Sequence, residues 1–133
     1  YRIGPSGRAY DDMSYLHRQD AFDGNGLRPL SPCHLRVRRL GGDLALRWIR
    51  RTRIGGDNWA GVDVPLGESS EAYVVRVVRG GEIRRDALVP PAGWAYPAPL
   101  WAAGGVGAPF EIHVAQLSDS FGAGPFARIV INE

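Results

Sequence analysis

Between Leu44 and Ile131 the chain is a succession of short alternating stretches joined by glycine turns, among them LALRWIRR, EAYVVRVVRGGEIRRD and FEIHVAQLSDSFGAGPFARIVI. In an extended backbone, alternation with a period of two gives a stretch one apolar and one polar face, and paired glycines permit the tight reversals between such stretches. Several half-buried strands of this kind can bury their apolar faces only against one another. The pattern therefore predicts a β-sandwich, an architecture common in adhesion and spacer modules, with any chemistry carried by its loops.

Read from its first alternating stretch, the chain divides into an extended arm over 1–32 and a sandwich over 33–133. Cys33, Leu35 and Val37 alternate with His34, Arg36 and Arg38, and Gly41-Gly42 turns the chain into Leu44, Leu46 and Trp48, placing Trp48 in the core. Tyr73, Val75 and Val77 form one arm of a hairpin that reverses at Gly80-Gly81 into Glu82 to Leu88. Phe110 to Ala115 and Phe126 to Ile131 form a closing hairpin around SDSFGAGP. The prolines at positions 90, 91, 97 and 99 reduce WAYPAPLWAAGG to an edge strand with irregular surroundings, and no helix of convincing length is expected. About seven strands in roughly 100 residues fit an immunoglobulin-like sandwich.

The arm contains Gly4, Pro5, Gly7, Gly24, Gly26, Pro29 and Pro32 and no regular apolar period. A short strand around His17 to Phe22 would need a partner surface, and Tyr10, Tyr15, Leu16 and Phe22 are expected to gain order by docking on neighbouring domains. The chain starts at Tyr1 without a methionine or a leader, which reads as a piece of something longer. With 133 residues there is room for one core and one appendage. No apolar run approaches the roughly 20 residues of a transmembrane helix, so a soluble chain is expected.

All 16 basic residues are arginine, and 14 acidic residues offset them to a formal charge of +2. Such a weak long-range field does not imply steering to nucleic acid. Seven arginines fall between Arg36 and Arg53, where alternating strands would set them in solvated outer rows that also discourage edge pairing. The single cysteine, Cys33, allows no internal disulfide, and His17, His34 and His113 are too scattered for a zinc cage.

The long glycine-rich loop from Arg53 to Ser70 is the natural place for function. Its residues Asp57, Asn58, Asp63 and Glu68 bear oxygen but lack the spacing of a twelve-residue calcium loop, and Asp and Asn are common turn formers. No metal and no cofactor are expected. Trp59, Trp94, Tyr96 and Trp101 offer flat apolar faces for a sugar or a partner protein, with Asp57 or Asn58 supplying hydrogen bonds; filling or covering the sandwich is the competing role for Trp94 and Trp101, and packing back on the sheet is the competing role for Trp59, which sits in a polar loop and is the better exposed candidate. Catalysis is not expected. The carboxylate pairs Asp11-Asp12 and Glu68/Glu71 have no evident cleft, Ser69 and Ser70 have no nearby histidine, and His113 sits on a strand.

Trp48, the YVVRVVRGG hairpin and the final FEIHVAQLSDSFGAGPFARIVI resemble a fibronectin type III domain. Phe110 stands where that family commonly has a corner tyrosine, so packing must fix the corner in place of a hydroxyl. A resemblance covering nearly the whole chain rests on GLRPLSPCHLR followed by WIRRTRIGGDNWAGVDVPLGESSEAYVVRVV, which looks like the C-terminal region of the megatron-type tail hub proteins of gene transfer agents and related phages. That family carries a glycoside hydrolase-like barrel upstream, outside this chain, so no catalytic residue transfers. The resemblance implies a virion component at the tail tip, extracellular after release, assembled as a homotrimer with other tail and baseplate proteins and contributing to host attachment or envelope penetration. The alternative expectation is a carbohydrate-binding module that recognises host capsule or lipopolysaccharide glycan.

Overall fold

A computed structural model describes residues 1–21, 24–57, 59–91, 93–103 and 107–132. Ten strands and one α-helix form these segments: β1 (Arg2–Ile3), β2 (Leu16–His17), β3 (Cys33–Leu40), β4 (Asp43–Ile49), β5 (Tyr73–Arg79), β6 (Glu82–Val89), β7 (Gly93–Tyr96), α1 (Ala98–Ala103), β8 (Phe110–Ser118), β9 (Gly122–Ala123) and β10 (Ala127–Ile131). Two antiparallel sheets, ordered β3-β4-β7 and β10-β8-β5-β6, face each other, and β9 pairs with the end of β8. This is an immunoglobulin-like sandwich of the fibronectin type III kind.

Alternation decides which side chains fill the space between the sheets. Leu44, Leu46 and Trp48 of β4 meet Tyr73, Val75 and Val77 of β5 and Phe110, Ile112 and Val114 of β8, all of them buried. The edge of the Trp48 indole meets Tyr73 with ring centroids 5.0 Å apart, an edge-on arrangement favoured by the ring quadrupoles. Phe110 is buried beside Trp101, their rings 6.4 Å apart, so apolar packing occupies the corner where a tyrosine hydroxyl is absent.

The Gly80-Gly81 reversal has both φ angles positive, at 59° and 82°. This is the primed-turn geometry whose twist suits a two-residue hairpin and which side chains resist. It joins Arg79 to Glu82 in direct register.

The edge strand expected in WAYPAPLWAAGG is present as β7, at the border of the smaller sheet. The helix after it was not expected from the prolines. Pro99 lies in the first turn of α1, where a helix has no use for the missing N–H, and the Ala98 N–H donates to Asp43 Oδ1 at 2.7 Å. A carboxylate from β4 thus supplies the start signal that the local sequence lacks.

The arm also holds more structure than its sequence suggests. β1 and β2 pair with each other, Arg2 opposite His17 and Ile3 opposite Leu16. The short strand expected between His17 and Phe22 therefore lies at Leu16–His17, with the chain's own start as its partner; Phe22 is outside the described residues. Tyr10 and Leu16 are exposed, while the Tyr15 hydroxyl donates to the Pro5 carbonyl at 3.0 Å. Pro29 and Pro32 are buried, and a side chain at Gly124 would collide with the Pro29 carbonyl. The last residues of the arm are thereby fitted to the sandwich.

Candidate functional site

Residues 50–72 leave the Ile49 end of β4 and return to Tyr73 without a strand or helix among the described residues. Their base is held by arginines. Arg50 reaches Asp63 at 3.1 Å and Glu71 at 3.6 Å and donates to the Val64 carbonyl at 2.6 Å. Glu71 in turn accepts the Tyr73 hydroxyl at 2.7 Å, so the loop base is tied directly to the core. Burial, followed by this hydrogen bond to a carboxylate, pushes the Tyr73 phenol well above its ordinary range.

Arg53 pairs with Glu68 at 3.3 Å and donates to the Gly26 carbonyl at 3.3 Å, joining loop and arm. Ser69 donates to Asp119 beyond β8. Asp63 and Glu68 are therefore engaged by arginines instead of converging as calcium ligands. Among the described residues no group of three or more His, Cys, Asp or Glu side chains could hold a metal ion.

Above this pinned base the loop presents apolar side chains to solvent. Trp59 is 99% exposed, and Ile54 and Val62 are also exposed. Asp57 is exposed nearby in sequence, whereas Asn58 lies outside the described residues. Burying one indole is worth about 2–3 kcal/mol by area, so a fully solvated one on an anchored loop is a ready contact residue.

The other aromatic candidates do not join Trp59. Tyr96 is 1% exposed and belongs to the core. Trp94 stacks on Tyr96 with centroids 4.8 Å apart and packs with Trp101 against the same core. The Trp101 indole N–H donates to the Gly42 carbonyl at 3.2 Å, at the β3-β4 turn. Tyr96 and Trp101 therefore lie toward the Asp43 end of β4 and Trp94 opposite Leu46 at its middle, while the Trp59 loop rises from the Ile49 end of the same strand, which is about 20 Å long. The expected aromatic platform is divided: Trp59 with Asp57 on the loop, and three structural aromatics packed in or against the core. Spacing in sequence could not reveal this division, because it depends on the register of β7 against β4 and on the helix that carries Trp101.

On the outward face of the larger sheet, Glu111 and His113 stand two residues apart on β8 with Nε2 and Oε2 at 2.6 Å. The hydrogen bond with His113 holds the Glu111 carboxyl below its usual range. This pair was not singled out in the sequence, although its i, i+2 spacing on a strand guarantees a shared face.

No family model matches the chain, and no curated protein matches it. Solved structures do share its fold. The Clostridium perfringens spore cortex lytic enzyme SleM aligns over 79% of this chain and 28% of its own length, with 8% identity and a TM-score of 0.52. The rat CD45 extracellular region, domains d3-d4, aligns over 100% of this chain and 62% of its own, with 9% identity and a TM-score of 0.55. The chain thus spans less than two thirds of either structure. At such identities the likeness is one of fold, and the class it defines is the immunoglobulin-like, fibronectin type III-like sandwich.

Proposed function

We propose that this chain is a non-enzymatic contact module of a phage-like tail tip, of the gene transfer agent type, that docks on other tail or baseplate proteins within a trimeric hub. Two things support the reading: the resemblance of residues 26–36 and 48–78 to the C-terminal region of tail hub proteins, and a surface suited to docking. The observation that carries most weight is Trp59, 99% exposed on a loop whose base is locked by Arg50 and Arg53. An exposed tryptophan on a preorganised loop is the type of residue that anchors protein interfaces, because little ordering entropy remains to oppose binding. No helix among the described residues is long and apolar enough to cross a membrane.

Recognition of host capsule or lipopolysaccharide glycan is the second reading, favoured by the same indole with Asp57 close by in sequence. A multi-aromatic sugar platform is not available to it, since Trp94, Tyr96 and Trp101 pack in or against the core. Cryo-EM of intact particles decides between the two. The expected result is Trp59 seated against another tail protein. A sandwich projecting toward the cell with a free Trp59 loop would overturn the hub role in favour of host-surface binding. In that case Trp59→Ala should abolish binding to capsule or lipopolysaccharide oligosaccharides.

A further inference from the structure

We propose that the outward face of the β3-β4-β7 sheet, built on Arg36, Arg38 and Arg47, binds a carboxylate-rich surface of a partner protein. This site is separate from the Trp59 loop and does not depend on the reading given to it.

Arg36 and Arg47 stand directly opposite each other on neighbouring antiparallel strands, and Arg38 opposes Ala45 one step along the same face. Opposed residues in such a ladder have Cβ atoms about 5 Å apart, and like charges at that separation disfavour the pairing. All three arginines are exposed, while Val37 and Leu46 on the reverse of the same strands turn toward the core. Among the described residues none of the three has an ion-pair partner, although Arg50, Arg53, Arg76 and Arg84 each have one. The sheet itself cannot supply one. Its strands read CHLRVRRL, DLALRWI and GWAY, with Asp43 the sole acid, and Asp43 accepts the Ala98 N–H at the start of α1.

The rest of the face indicates which anion fits. A depression of about 460 Å³ is lined by Arg36, Arg38, Leu40, Ala45 and Arg47, and Leu40 and Ile49 are exposed toward its two ends. Arginine forks amid small and aliphatic side chains are the composition of a protein interface, and each fork can take a carboxylate in a bidentate pair. Nucleic acid is a poorer fit. The depression has no aromatic lining on which bases could stack, and the formal charge of +2 gives little long-range attraction to a polyanion. Three arginines also fall short of the basic clusters that hold proteins to anionic membranes.

The test is an NMR titration of the isotope-labelled chain with poly-L-glutamate, alongside heparin and a single-stranded DNA oligonucleotide matched in charge. A double variant, Arg36→Thr with Arg47→Thr, keeps residues suited to strands. Poly-L-glutamate is expected to shift resonances of β3 and β4, and the variant to lose about tenfold or more in affinity. The variant should also melt higher than the parent, because the opposed like charges are gone. Glutamate binding that survives the substitutions, tighter binding to heparin or DNA, or no binding to any of them would overturn the proposal. A melting temperature lowered by the substitutions would do so as well, since it would make the arginines supports of the fold.

Discussion

Tyr73 links the core to the loop through one hydroxyl, and its protonation has a definite sign. Its folded pKa is raised above the ordinary 10.0. The contribution to stability is therefore fully present below pH 10 and lost as pH rises above it, because the unfolded chain ionises there while the folded chain resists. Denaturant titrations across pH 9–11 should show this fall, and Tyr73→Phe should flatten it. The same variant should lose about 1 kcal/mol at neutral pH through the missing hydrogen bond to Glu71. Gln116 is the opposite case. It is 1% exposed, and neither its Nε2 nor its Oε1 has a partner. A buried amide left unsatisfied costs about 1–3 kcal/mol, so Gln116→Met should stabilise the fold by about 1 kcal/mol in chemical denaturation.

Among the elements, the loop over residues 50–72 depends on Arg50 more than on any regular structure. Arg50→Ala removes contacts to Asp63, Glu71 and the Val64 carbonyl together and should cost about 2 kcal/mol. Chymotrypsin, which cuts beside aromatic residues, should then cleave at Trp59 markedly faster than in the parent. Helix α1 depends in a similar way on Asp43, and Asp43→Ala should cost about 1 kcal/mol, the usual worth of a helix-capping side chain.

These elements were unequally legible in the sequence. β3, β4, β5, β8 and β10 each alternate over five or more residues and turn one face inward, so their sequences carry the signal directly, whereas β6 is exposed along most of its length and is marked by the Gly80-Gly81 reversal before it. β1 and β2 have two residues each, too few to show a period, and their pairing spans the chain from Arg2 to His17. Helix α1 follows Pro97 and contains Pro99, and its capping acid lies 55 residues away in sequence. The candidate site was legible in the same proportion. Trp59, set in a polar glycine-rich loop, was the best exposed candidate among the aromatics, and the structure leaves it in solvent. Tyr96 shares the inward face of β7 with Trp94, which depends on the register of that strand against Leu44 and Leu46 and is not a property of its own sequence.

On the scale of the whole molecule, contact residues and packing residues are well separated. Trp59→Ala should leave stability within about 0.5 kcal/mol of the parent, as for other exposed positions, while abolishing the contact proposed for the loop. Trp101→Ala, in contrast, should lower the melting temperature, because that ring lies against Phe110 and bonds the β3-β4 turn. Thermal denaturation of the two variants side by side checks both.

Two of the outer strands of the sandwich, β3 and β10, also run in a way that bears on load. β3 begins at Cys33, opposite Ile49 at the loop end, and β10 finishes at Ile131, opposite Phe110 at the far end. Tension applied between those two points pulls each strand lengthwise past its neighbour. The ladder bonds of β3 with β4 and of β10 with β8 then strain together, where a pull from one end would peel them singly. Mounted between two moving parts, this sandwich would act as a stiff tie.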